Sequence, residues 1–147
     1  MSDDGLDVAA VSTLRERTRG AVLRPGDPGY DDARTVWNAR VDRHPDLVLR
    51  CTGAADVVAG VTLARERDLR LGVRSGGHHV SGCAVPDEGL LLDCHPMDAV
   101  RVDPDAQRAR VGPRATWGDV DHETTAFGLA VTGGQDPNIG VAGDCCP

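Results

Sequence analysis

Arg74, His78 and His79 stand together in the run Arg74-Ser75-Gly76-Gly77-His78-His79-Val80-Ser81-Gly82. The run combines a fixed cation, a pliable backbone and two imidazoles. Adjacent glycines let the chain turn sharply and take conformations closed to other residues. Successive N–H groups in such a turn can point into one concavity and hold an anion. Arg74 adds positive charge at the rim of that concavity, and the histidines bring ring nitrogens beside whatever it cradles. A phosphate-bearing cofactor with a reactive ring would use all three parts.

The rest of the composition narrows the chemistry. All 16 basic residues are arginine. Without lysine there is no Walker-type phosphate loop and no Schiff-base chemistry. A net charge of −7 argues against a nucleic-acid-binding surface. No apolar stretch approaches membrane-spanning length. The acidic start, Met1-Ser2-Asp3-Asp4, lacks a signal-peptide pattern, so the cytosol is the default compartment. The cysteines are Cys51, Cys83, Cys94, Cys145 and Cys146, with no C-x-x-C pair. An odd set in a chain without a secretory signal speaks against a disulfide framework. Cys51, Cys83 and Cys94 read as small buried apolar side chains. His78, His79, Cys83, Cys94 and His95 have zinc-ligand chemistry, but their spacing fits no common zinc pattern, and no metal is expected.

The length of 147 residues allows a real core. Aromatics make up 3%, so that core must rest on aliphatic side chains. Residues 1–41 read as a lead-in: a weakly amphipathic helix over Val8 to Arg17, a short strand at Ala21-Val22-Leu23, then a polar, turn-rich stretch anchored by Tyr30 and Trp37. The main domain, 42–147, opens with a buried strand at Leu47-Val48-Leu49. Thr52 is a candidate N-cap. Ala54, Val57, Val58, Val61 and Ala64 recur at helical spacing, predicting an amphipathic helix over 54–67. A strand over Leu69 to Val73 then feeds the glycine run directly. This is a β-α-β unit, and ligands of open α/β sheets bind at the carboxyl ends of such strands. Downstream, Gly89-Leu90-Leu91-Leu92-Asp93 reads as a buried strand, and Val100-Arg101-Val102 with Ala109-Arg110-Val111 as a hairpin. Thr116-Trp117-Gly118-Asp119 matches a capping-box helix start, with Gly128 as its stop. Leu129 to Thr132 reads as a strand entering a second glycine segment, Gly133-Gly134 to Gly140-Val141-Ala142-Gly143.

Four motifs in order carry a family resemblance: Arg74-Ser75-Gly76-Gly77-His78, Gly89-Leu90-Leu91-Leu92-Asp93, Ala115-Thr116-Trp117-Gly118-Asp119, and Thr132-Gly133-Gly134 to Gly140-Val141-Ala142-Gly143. Together, from about residue 42 to 143, they resemble the berberine-bridge-enzyme type of FAD-linked oxidoreductase. The resemblance implies an α+β FAD-binding domain of the vanillyl-alcohol oxidase and p-cresol methylhydroxylase type, with β-α-β units around a small mixed sheet. It implies that FAD is bound covalently, His78 bonding to the flavin 8α-methyl group. It implies further cofactor contacts from Arg74, Ser75, Gly76, Gly77, His79, Gly82, Gly134, Gly140, Val141 and Gly143. A second covalent link, through cysteine, occurs in some relatives, but that position here holds Asp136. Cys145 and Cys146 lie beyond it. His95, His122 and the arginines at 101, 108, 110 and 114 match no functional position and read as surface residues.

Similar proteins oxidise a small organic substrate by hydride transfer to the flavin, and they continue past this point into a substrate domain. The chain ends Asp144-Cys145-Cys146-Pro147. It is therefore expected to be incomplete, with the substrate domain absent and no general base to name. Three readings stay open: the N-terminal part of an oxidoreductase, a non-catalytic flavin- or partner-binding module, and a non-functional fragment.

Overall fold

Leu47-Val48-Leu49 and Leu90-Leu91-Leu92 lie side by side, and all six side chains are fully buried. The computed structural model describes residues 6–144. Along the chain come helix α1 (Val8–Arg17), strand β1 (Val22–Leu23), helix α2 (Tyr30–Arg34), strand β2 (Leu47–Arg50), helix α3 (Ala54–Glu66), and strands β3 (Leu71–Arg74), β4 (Leu90–Asp93), β5 (Val100–Asp103) and β6 (Arg108–Val111). Helices α4 (Trp117–Thr125) and α5 (Val141–Asp144) follow. The chain divides into two compact units after Pro96.

The first unit is a sheet ordered β1-β2-β4-β3. β2, β4 and β3 are parallel, and β1 pairs antiparallel with β2. Strands with both faces covered read as continuous apolar runs, which is why β2 and β4 lack alternation. On one face, α3 lies on the sheet at Gly60, whose nearest sheet atoms are methyls of Leu92, Leu49 and Leu90. On the other face, Val48 and Leu91 meet Tyr30, Ala33, Val36 and Val85 in one cluster. Burying each of these aliphatic side chains is worth about 1.5–3 kcal/mol, so this central layer outweighs the surface ion pairs, at about 0–1 kcal/mol each. Residues before 42 supply β1 and α2, and Tyr30 Oη donates to the Pro45 carbonyl at 2.6 Å.

In the second unit, β5 and β6 pair antiparallel with Val100 opposite Val111. Thr116 caps α4, and the Asp119 side chain closes the capping box. The fold is the mixed α+β arrangement expected, and no helix among the described residues is long and apolar enough to cross a membrane.

Several local expectations are corrected. α3 is capped at Gly53, not Thr52; Thr52 instead donates twice to Asp56. The buried stripe of α3 is Asp56, Gly60, Leu63 and Ala64, leaving Val58 and Val61 exposed. β3 is an edge strand that turns Gly72 and Arg74 inward and leaves Leu71 and Val73 exposed. Trp37, expected as an anchor, is 67% exposed. Leu129 to Thr132 forms no strand, since this stretch finds no pairing partner. Cys83 is exposed, unlike Cys51 and Cys94. Cys145, Cys146 and the first five residues lie outside the described residues.

Candidate functional site

The parallel register sets Arg50, Asp93 and Arg74 in one row at the carboxyl edge of the sheet. Asp93 is fully buried, and a buried carboxylate needs charged or N–H partners. It has four. Arg74 Nη1 reaches Oδ1 at 3.0 Å, Arg50 Nε reaches Oδ2 at 3.1 Å, and the His95 amide donates to Oδ1 at 3.1 Å. The Cys51 amide donates to the Asp93 carbonyl at 2.8 Å, tying β2 to the same residue. Arg74 also donates to the Ala33 carbonyl at 3.0 Å. Its guanidinium therefore points into the α2 face, not to a rim, and its Nε is buried without a partner.

The chain leaves β3 at Arg74 and enters the glycine loop. Among the described residues, no hydrogen bond takes up the backbone N–H groups of Ser75 through Val80. Ser75 and Gly76 are half-buried and Gly77 is buried, settings in which most backbone groups are paired, so their open donors stand out; His78, His79 and Val80 face solvent. The loop is held through its carbonyls instead. Trp37 N–H donates to the Gly77 carbonyl at 2.9 Å, and Asn38 Nδ2 donates to the Val80 carbonyl at 2.6 Å. Arg43 Nη1 donates to the carbonyls of Gly82 and Val85 at 3.3 and 2.9 Å. Gly82 closes the loop at φ +62°, where a Cβ would stand 2.6 Å from Val41 Cγ1. That position excludes side chains twice over, by conformation and by space.

The two histidines differ. His78 is exposed and its imidazole has no hydrogen-bond partner among the described residues. His79 is exposed too, but its Nδ1 accepts from the Ser81 amide at 3.2 Å and lies 2.8 Å from Ser81 Oγ. Ser75 and Gly76 are half-buried, and Gly77 is buried.

In the second unit, the later glycine segment is pinned to the start of α4. Trp117 and Gly118 N–H groups donate to the carbonyls of Ile139 and Pro137, and Val141 N–H donates to Ala115. Asp136 Oδ1 accepts from the Asn138 amide and from its Nδ2, a tight local turn. A Cβ added at Gly140 or Gly143 would meet no heavy atom within 4 Å, so the packing of this unit does not demand glycine there. Gly134 and Val141 are half-buried.

Beneath the carboxyl edge, Cys51 and Cys94 follow the paired residues Arg50 and Asp93 and are both buried. The neighbouring Cys94 side chain, together with burial, pushes the Cys51 thiol well above its ordinary value. The Cys51 thiol donates to the Leu49 carbonyl at 3.6 Å. Among the described residues, no group of three metal-ligating side chains converges.

Sequence reasoning gave Trp37, Asn38 and Arg43 no part in holding the loop, although they do so from about forty positions away. No spacing signal marks them. It also gave Asp93 no role, although an acid that ends a buried leucine run must have a cation beside it.

Comparison with known proteins gives a consistent result. Residues 45–143 match the FAD binding domain family. The chain is 38% identical over 125 residues to (R)-6-hydroxynicotine oxidase of Paenarthrobacter nicotinovorans, covering 85% of this chain and 27% of that protein. The crystal structure of 6-hydroxy-D-nicotine oxidase from Arthrobacter nicotinovorans superposes with a TM-score of 0.76 at 37% identity, over 84% of this chain and 27% of that one. Phl p 4, a grass pollen allergen with glucose dehydrogenase activity, gives a TM-score of 0.80 at 26% identity, over 92% of this chain and 30% of that one. The chain thus spans between a quarter and a third of the length of these relatives.

Proposed function

This chain belongs to the FAD binding domain family, and we propose that it anchors the FAD of a flavin-dependent oxidoreductase acting on a small organic molecule, with His78 bonded to the flavin 8α-methyl group. The observation that carries this reading is the row of open N–H donors from Ser75 to Val80 at the carboxyl end of β3, with an unpartnered imidazole in the middle of it. Such a row suits a pyrophosphate, whose oxygens accept several hydrogen bonds and carry the charge that oriented amides favour. When bound, the flavin supplies the hydride acceptor.

The residues divide the work. The amides of Ser75, Gly76 and Gly77 are assigned to the phosphates. Gly82 sets the return of the loop, and Arg74 positions the strand end through Asp93 and the Ala33 carbonyl. His79 orders the far side of the loop through Ser81. Gly134, Gly140, Val141 and Gly143 are assigned to the same cofactor on the resemblance alone.

The test uses the full chain incubated with FAD, precipitated with acid and washed. Flavin absorbance that stays in the wild-type pellet and is absent for His78→Ala supports covalent attachment. Visible flavin absorbance co-eluting with folded His78→Ala on gel filtration supports the cradle independently of the bond. A colourless pellet from folded wild-type protein overturns the covalent assignment. Loss of flavin from both proteins on gel filtration overturns the cradle.

A further inference from the structure

We propose that Trp37 is a cofactor-binding residue whose indole covers the flavin ring held at His78. The proposal rests on the cofactor reading above and adds the residue that recognises the ring, where the loop amides recognise the phosphates. Trp37 is 67% exposed, although tryptophan is among the more buried side chains on average. Its indole has no ring contact and no hydrogen bond among the described residues. Its backbone is fixed all the same. The Trp37 amide donates to the Gly77 carbonyl at 2.9 Å, and the next residue, Asn38, reaches the Val80 carbonyl through Nδ2 at 2.6 Å. These two points bracket His78 and His79. Val36, one residue earlier, packs into the core cluster, and its Cα would lie 3.5 Å from a Cβ added at Gly77. Residues 36–38 therefore run beside the loop, with Val36 buried and Trp37 exposed.

Two further observations define the ligand. Arg74 is nine-tenths buried, and its Nε, without a partner, would lie 3.1 Å from a Cβ added at Gly77. The amides of Ser75, Gly76 and Gly77 are open as well, two of them half-buried and one buried. These groups suit an anion. Beside them, Trp37 and Val80 offer exposed apolar surface. A ligand that satisfies both sets carries phosphate and a flat, weakly polar ring, as a flavin dinucleotide does. An indole presents a rigid π-face, and stacking on such a face contributes beyond the area it buries. Because His78 follows Gly77 directly, the ring assigned to Trp37 is the isoalloxazine that His78 would hold, and not the adenine.

The test uses the full chain in a His78→Ala background, where no covalent bond forms and FAD affinity is an equilibrium quantity. FAD and ADP are the two probes, titrated by isothermal calorimetry. ADP carries the pyrophosphate and adenosine without the flavin. Trp37→Ala keeps the amide that holds Gly77 and removes only the indole. It is expected to weaken FAD by about tenfold or more, the scale of losing one aromatic stack, and to leave ADP unchanged. Trp37→Phe keeps an aromatic face and is expected to recover most of the FAD affinity. Equal FAD affinity with and without the indole overturns the proposal and leaves the phosphate cradle standing. A loss of ADP affinity equal to the loss for FAD also overturns it, since that marks a residue that only shapes the loop. Binding of neither probe to the His78→Ala protein overturns the cradle and this proposal with it.

Discussion

Arg74 and Asp93 meet at 3.0 Å inside the first unit, with Asp93 fully buried and the Arg74 side chain 11% exposed. The pair joins the end of β3 to the end of β4 and so decides where the glycine loop begins. A buried pair of this kind is costly to break from one side, because the remaining charge has no solvent to replace its partner. Asp93→Ala is therefore expected to lower unfolding stability by about 3–5 kcal/mol. Arg74→Met combined with Asp93→Leu is expected to cost less than Asp93→Ala alone. Urea unfolding of the three proteins checks both statements, and a double variant less stable than Asp93→Ala would contradict them.

Asp56 supplies the pH dependence. Burial acts to raise its pKa, but the amide of Thr52, the amides of Arg19 and Gly20, and the Thr52 hydroxyl together outweigh burial and hold the carboxyl below its usual value. The four contacts lie between 2.8 and 3.1 Å. A folded-state pKa below the unfolded value of about 3.9 gives stability that is present above that value and lost as pH falls through the folded pKa. Asp56→Asn is expected to flatten this acid limb of the stability curve. Thermal unfolding of both proteins between neutral and strongly acidic pH reads it out. An unchanged acid slope in the variant would sink the assignment.

The left-handed closure of the loop at Gly82 is open to a similar dissection. Gly82→Ala adds a methyl at φ +62°, against Val41 Cγ1. The left-handed conformation alone costs about 1–2 kcal/mol, and the clash adds to it. Gly82→Ala with Val41→Ala is expected to recover the steric part and leave the conformational part. Urea midpoints of the single and double variants measure the split, and full recovery in the double variant would show that backbone conformation is not the constraint.

Much of this was legible in the residue order. Continuous leucine and valine runs at 47–49 and 90–92 announced buried strands, because both faces of β2 and β4 are covered. Thr116 and Asp119, three residues apart, announced the start of α4 through local hydrogen bonding that needs no other part of the chain. Other signals misled for a physical reason. Val58 and Val61 matched a helical stripe, yet α3 buries Asp56 and Gly60 in their place. The Asp56 carboxylate serves the amides of Arg19 and Gly20, and the helix comes close to the leucines at Gly60. Periodicity counts apolar residues and cannot see a buried acid that has found its donors.

The glycine loop itself shows the division most clearly. From sequence alone came the type of site: a strand, adjacent glycines and a histidine, with lysine-based chemistries removed by composition. Tertiary structure decided which parts face outward. It turned Arg74 inward to Asp93, because a parallel register places the two ends side by side. It left the amides of Ser75 to Val80 open, because Trp37, Asn38 and Arg43 hold the loop by its carbonyls. It also set His78 apart from His79, because only His79 has the Ser81 amide within reach. Residue types are local, and the sequence states them directly. Which polar groups remain unpaired depends on partners some forty positions distant, and only the folded chain brings those within hydrogen-bonding range.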